Sequence, residues 1–224
     1  MRLESRQTFD QGILIADFAH LPSSACGTWP AYWTYDYAED PYGEVDIIEG
    51  DNNQIGDVIS LHTGATCRLK DDPQSQSGTD IRNDCSLTTN YLDGCGVSGP
   101  SNSYGDLFNA QGGGVWAMWL DKDDLAIWMF PRMLVPDDIV RGKQLTQSHW
   151  GKPLLHLKSH PGCRVMDQWK NQTIVSDVSP LLKRVETRAK LSNRSSILTF
   201  VVKMRVAPTG TNRQVLRPNR AVLT

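Results

Sequence analysis

Six short runs rich in β-branched and aromatic residues, at 12–20, 44–50, 58–63, 115–120, 125–130 and 165–175, are separated by stretches of Gly, Pro, Asn and Asp. No heptad or internal repeat lies between them. Runs of this length, closed by turn formers, predict an all-β fold in which two antiparallel sheets pack face to face. A chain of 224 residues suffices for one such domain, and 39% hydrophobic with 21% charged residues is the balance of a globular protein. No stretch approaches the roughly 20 apolar residues that cross a bilayer as a helix.

The run at 43–50, Gly-Glu-Val-Asp-Ile-Ile-Glu-Gly, interleaves three carboxylates with Val and Ile between two glycines. On a strand, residues two apart share a face, so Glu44 and Asp46 point the same way. Glu49 lies three beyond Asp46 and falls on the opposite face unless an extra residue interrupts the pleat. A β-bulge at Ile47-Ile48 restores it. Three carboxylates crowded on one patch repel one another when ionised, which raises at least one pKa and separates an acid from a base. Glycoside hydrolysis with retention needs such a pair, about 5–5.5 Å apart. The competing reading is a solvated strand face or a site for a hard cation such as calcium.

The neighbouring segments favour the first reading. Cys26-Gly27-Thr28-Trp29-Pro30-Ala31-Tyr32-Trp33 packs aromatic residues one short loop upstream, and aromatic planes suit the apolar faces of sugar rings. Residues 59–63, Ile-Ser-Leu-His-Thr, are expected to form a neighbouring strand with His62 beside the carboxylates. Asn52, Asn53 and Gln54 follow the acidic strand and either line the cleft or serve the turn.

Taken together, these motifs resemble glycoside hydrolase family 16, in particular its fungal laminarinase-like endo-β-1,3(4)-glucanases. The acidic octapeptide matches the bulged form of that family's catalytic signature, with two residues between the aspartate and the second glutamate. The segments 2–5, 12–17, 108–118 and 127–132 are similar in the same order. The resemblance implies a concanavalin A-like jelly roll. It also implies Glu44 as nucleophile, Glu49 as acid/base, Asp46 as their assistant, Trp33 as a stacking platform and His62 as a polar neighbour of the site. With Trp33 and His62, the candidate substrate contacts are Trp29, which beside Pro30 is equally read as a core packer, and Asn53, from its place after the acidic strand. The expected partner is a β-glucan polysaccharide, handled by a secreted monomer without cofactor, metal, nucleic acid or membrane segment. A non-catalytic glucan-binding sandwich and a glucan transglycosylase are the alternatives.

Five cysteines occur, three of them (Cys67, Cys85, Cys95) in a Gly-, Ser- and Asn-rich stretch without the close pairs of a zinc site. The resemblance implies disulfides there, and the odd count leaves one thiol over, Cys163 or whichever lacks a partner. Asn171-Gln172-Thr173 and Asn193-Arg194-Ser195 match the glycosylation acceptor pattern. The N-terminal residues lack the apolar core of a signal peptide. Beyond Val175 the composition turns basic: residues 176–224 carry ten Lys and Arg against Asp177 and Glu186. Residues 1–175 are therefore expected to form a partial sandwich, incomplete at both ends. Residues 176–224 are expected to be a divergent tail, disordered or the product of a wrongly assembled gene.

Overall fold

A computed structural model describes residues 2–36, 42–64, 67–69, 74–87, 93–142, 145–180 and 205–207. Two antiparallel sheets face each other. The larger has the order β1-β11-β3-β4-β5-β7-β6, built from β1 (Arg2–Phe9), β3 (Thr28–Asp36), β4 (Gly43–Glu49), β5 (Val58–Thr63), β6 (Thr79–Arg82), β7 (Cys95–Ser98) and β11 (Gln172–Pro180). The smaller has the order β10-β9-β8-β2-β12, built from β2 (Gly12–Phe18), β8 (Gly114–Leu120), β9 (Asp124–Pro131), β10 (Leu155–Lys158) and β12 (Arg205–Ala207).

Alternation along the strands sets the layers. Leu14, Ala16 and Phe18 of β2 and Trp116, Met118 and Leu120 of β8 meet Val45, Ile48, Ile59, Leu61 and Val97 of the larger sheet in one dry core. The opposite sides of the same strands, Ile13, Ile15, Val115 and Ala117, join Trp128, Phe130 and Trp150 in a second cluster. Val135, Ile139 and Leu145, around the short helix α2 (Asp137–Arg141), pack against that cluster. The smaller sheet is thus covered on both faces. The larger sheet keeps one side free to carry polar groups.

Close backbone contact accounts for the glycine run before β8. Gly113 has φ +79°, and a Cβ there would lie 2.1 Å from the Phe18 carbonyl oxygen. Helix α1 (Gly105–Ala110) precedes it and buries Phe108 in the core.

Three expectations need correction. The run at 165–175 is not one strand: Val165–Gln168 forms a helical turn, α3, and the strand occupies Gln172–Pro180. Val165 and Trp169 are both fully buried, as strand residues would be, but they are packed from one helical turn. The change of composition after Val175 is likewise not an end of structure, because β11 continues through Asp177 to Pro180 between β1 and β3. Cys163, finally, is not the spare thiol. Cys67 bonds to Cys163 and Cys85 to Cys95, leaving Cys26 free and exposed. Strand pairing decides this: β5 pairs with β7 and a bridge joins Thr63 to Ser86, so Cys85 and Cys95 meet locally while Cys67 faces the start of α3.

The stretch between Gly64 and Gly114 is also more ordered than its composition suggests, since it contains β6, β7 and α1. Asn171 has φ +52° and donates its amide to Asp36 Oδ1 at 3.3 Å, so its side chain holds the turn into β11. The second acceptor pattern, at Asn193, and most of the basic tail lie outside the described residues.

Candidate active site

Strand β4 positions the three carboxylates. Opposite β3 its register runs Tyr35↔Glu44, Thr34↔Val45 and Trp33↔Asp46, then shifts so that Tyr32↔Ile48 and Ala31↔Glu49. One residue, Ile47, is therefore extra. This is the bulge that the spacing of Asp46 and Glu49 requires. Val45, Ile47 and Ile48 are buried in the core, while Glu44, Asp46 and Glu49 share the outer face.

Each carboxylate has its own partner. Tyr42 donates its hydroxyl to Glu44 Oε2, and Trp29 donates Nε1–H to Glu49 Oε1 at 2.9 Å. Asp46 Oδ2 lies 3.0 Å from His62 Nε2, which is also 3.9 Å from Glu44 Oε1. His62 arrives there because it pairs directly across from Glu44 on β5. Gly94 backs the imidazole: a Cβ at that position would lie 2.7 Å from His62 Nδ1.

Burial dominates the electrostatics. Glu44 is pushed up to about 7 by desolvation and by Asp46, against the opposing pull of the Tyr42 hydrogen bond, His62 and Arg2. Desolvation and then Asp177 raise Asp46. Desolvation and then Asp46 raise Glu49, while the Trp29 hydrogen bond lowers it. Burial lowers His62, so the imidazole is favoured in its uncharged form. The cluster thus holds protons at neutral pH that ordinary carboxylates would have released. Glu44, Asp46 and His62 each bring one donor atom within 4.8 Å of the others, close enough to hold a cation. The His62–Asp46 hydrogen bond engages two of those atoms with each other.

The remaining predicted contacts divide. Trp29 is 40% exposed and touches Glu49 directly. Trp33 shares the face with Asp46, but the Arg2 guanidinium lies over its ring at 4.7 Å and Tyr35 lies beside it at 5.0 Å. Asn53 sits exposed in the turn after β4. The turn itself is held by its neighbours: Asn52, at φ +48°, accepts from Gly27 N, and Gln54 donates to Gly56 O.

Several residues of the site carry no signal in the sequence. Tyr42 lies two residues before Glu44 and reads as loop. Asp57 accepts the Glu49 backbone N–H. Trp169 donates Nε1–H to the Glu44 carbonyl at 3.0 Å from 125 residues away. Asp177, counted by composition with the basic tail, faces Arg2 across β1 and bonds to Trp33. A cavity of about 600 Å³ lies elsewhere, lined by Trp128, Phe130, Trp150 and Leu154, and includes none of the predicted site residues.

The chain that carries this acidic strand has close counterparts among known proteins. A family model described as the XgeA-like catalytic GH16 domain matches residues 1–180. The chain belongs to glycoside hydrolase family 16. Within that family it is 38% identical over 181 residues to the endo-1,3(4)-beta-glucanase xgeA of Emericella nidulans, across 80% of this chain and 28% of that protein. A probable glycosidase of Schizosaccharomyces pombe is 35% identical, over 80% of this chain and 43% of its own length. Among solved structures, an elongating family 16 β-1,3-glucosyltransferase superposes with TM-score 0.74 at 40% identity, covering 80% of this chain and 59% of the other. Laminarinase 16A from Phanerochaete chrysosporium, solved with β-glucans in donor and acceptor sites, gives 0.75 at 36% identity, covering 80% and 61%. The chain therefore spans between about a quarter and three-fifths of these relatives' lengths.

Proposed function

We propose that this family 16 chain is a retaining endo-hydrolase of β-1,3- or mixed β-1,3/1,4-glucans. The observation that carries the reading is the bulge at Ile47, which brings Glu49 onto the face of Glu44 and Asp46 and so gives the two glutamates different partners. Glu49, raised by burial, gives its proton to the glycosidic oxygen as the C1–O bond breaks. Glu44 attacks C1 from the other side and forms a glycosyl ester. The ionised Glu49 then takes a proton from water, whose oxygen displaces Glu44 and restores the original configuration at C1. Tyr42 stabilises the Glu44 carboxylate as it leaves. Asp46, paired with His62 on the same face, orients Glu44.

Trp29 carries an exposed ring face next to the acid/base and is the better placed of the two tryptophans to meet a sugar. Two disulfides accord with an oxidising compartment, and with action outside the cell on a polysaccharide. Purified Glu44→Gln and Glu49→Gln proteins that fold normally are each expected to lose hydrolysis of soluble laminarin. Full activity in either would refute the assignment.

A second reading is transfer of the glycosyl group to an acceptor sugar in place of water. The similarity to an elongating β-1,3-glucosyltransferase favours it. Mass spectrometry of the products separates the two, since transfer yields chains longer than the starting oligosaccharide.

A further inference from the structure

The two ends of β4 are held differently. On the β5 side, ladder pairing covers only Gly43↔Thr63 through Asp46↔Ser60 and stops at the bulge. Glu49 therefore has no β5 residue opposite it to receive its backbone N–H. A side chain receives it instead: Asp57 Oδ1 accepts this N–H at 2.8 Å. Asp57 lies just before β5, is fully buried, and its other oxygen, Oδ2, has no hydrogen-bond partner among the described residues.

Asp57 is itself fixed by the turn at 99–104. Its N–H donates to Ser103 Oγ at 2.8 Å and its carbonyl accepts from Gly99 N at 2.9 Å. The next residue of that turn, Tyr104, donates its hydroxyl to the Gly50 carbonyl at 3.0 Å, directly after Glu49. Gly50 lies so close to the Tyr104 ring that a Cβ would meet it at 2.7 Å. The turn thus grips the peptide on both sides of Glu49.

We propose that Asp57 is the positioning residue for the acid/base: its Oδ1 replaces the missing ladder partner and fixes the backbone from which Glu49 reaches the glycosidic oxygen. This rests on the reading of Glu49 given above. Asp57 is fully buried and acts through the Glu49 amide. A carboxylate buried with one oxygen unpartnered is held well above its ordinary range by desolvation and by Glu49 and Asp46, with the N–H groups of Glu49 and Val58 pulling the other way. What the site needs from it is an acceptor oxygen, not a charge.

Two variants of the same shape separate these properties in the full chain. Asp57→Asn keeps the acceptor and cannot ionise; Asp57→Leu fills the same space without an acceptor. Asp57→Asn is expected to retain kcat on laminarin within about threefold. Asp57→Leu is expected to lower kcat about 100-fold with KM changed less than about threefold, the scale of a small misplacement of a reacting group. Amide hydrogen exchange at Glu49, followed by NMR, is expected to stay protected in Asp57→Asn and to accelerate about 100-fold in Asp57→Leu, whether or not the chain turns over glucan. Folded Asp57→Leu with unchanged kcat or unchanged exchange overturns the proposal, as does Asp57→Asn that falls with it. Asp57→Leu that fails to fold assigns Asp57 to the fold rather than to Glu49 and overturns it equally. Failure of the hydrolase reading appears separately, as a Glu49→Gln protein that still cleaves laminarin.

Discussion

The half of β4 that carries Glu44 and the half that carries Glu49 are adjacent in sequence but are held by different means. From Glu44 to Asp46 the strand is flanked on both sides, by β3 and by β5, so Glu44 projects from the middle of a hydrogen-bonded sheet. Beyond Ile47 only β3 remains in register, and the other side is completed by Asp57 and Tyr104. On the proposed roles, the nucleophile projects from a fixed ladder, and the acid/base stands where side chains set the backbone.

The difference is broken most directly at the chemistry. Replacing Glu44 or Glu49 by Ala is expected to cost about 10²–10⁴-fold in kcat on laminarin, the usual worth of such groups. With azide and an activated β-glucoside the two variants should then part. Glu49→Ala forms the β-azide, through an intact intermediate, and Glu44→Ala forms the α-azide, by direct displacement. NMR of the products reads the anomer, and the same anomer from both would remove the distinction between the halves.

The glycines that bound β4 differ in what they press against. A Cβ on Gly43 would lie 1.8 Å from the Gln168 backbone oxygen, while one on Gly50 would press on the Tyr104 ring. Gly43→Ala is expected to lower stability by about 1–3 kcal/mol, as overpacking does, measured as a fall in Tm. In Gly50→Ala the ring can shift, so kcat should fall more than Tm. The opposite ranking would show that the Glu49 end is no more dependent on side chains than the Glu44 end.

Acidity gives a third contrast. Carboxyls whose folded pKa is raised bind protons in the native state that the unfolded chain has released. Their contribution favours folding below the unfolded values near 4 and is lost as pH rises through the raised ones. Tm is therefore expected to decline between about pH 4.5 and 7 from this cluster, with Glu44, at about 7, alone accounting for a penalty on the order of 3 kcal/mol. Glu44→Gln should flatten the decline; a Tm that climbs over this range because of these groups would contradict the burial argument. The smallest effect is expected at Trp29, whose N–H favours the charged form of Glu49. Trp29→Phe removes that donor, so Glu49 should keep its proton to higher pH. The alkaline limb of kcat/KM should move up by about half a unit to one unit.

How much of this was legible in the sequence follows from the range of each interaction. The strand, its buried face and the bulge are encoded within eight residues, because Val45 and Ile48 must point inward while Glu44, Asp46 and Glu49 share the other face. His62 is one strand away and follows from the pairing of Glu44 with β5. Asp57 and Tyr42 are near in sequence but sit just before β5 and β4, outside the strands, where no periodicity fixes their direction. Trp169 and Asp177 come from beyond residue 165, where a helical turn imitates a strand and a basic composition hides the last strand of the site. The pairing of Cys67 with Cys163 spans 96 residues and depends on the finished topology.

On the proposed mechanism Glu44, on the doubly paired half of β4, bonds covalently to the sugar. A 2-deoxy-2-fluoro derivative of a laminari-oligosaccharide with an activated leaving group should trap that ester, and peptide mass spectrometry should find the adduct on Glu44. An adduct on Glu49 or Asp46, or turnover of glucan by a protein that never acquires one, would contradict the account.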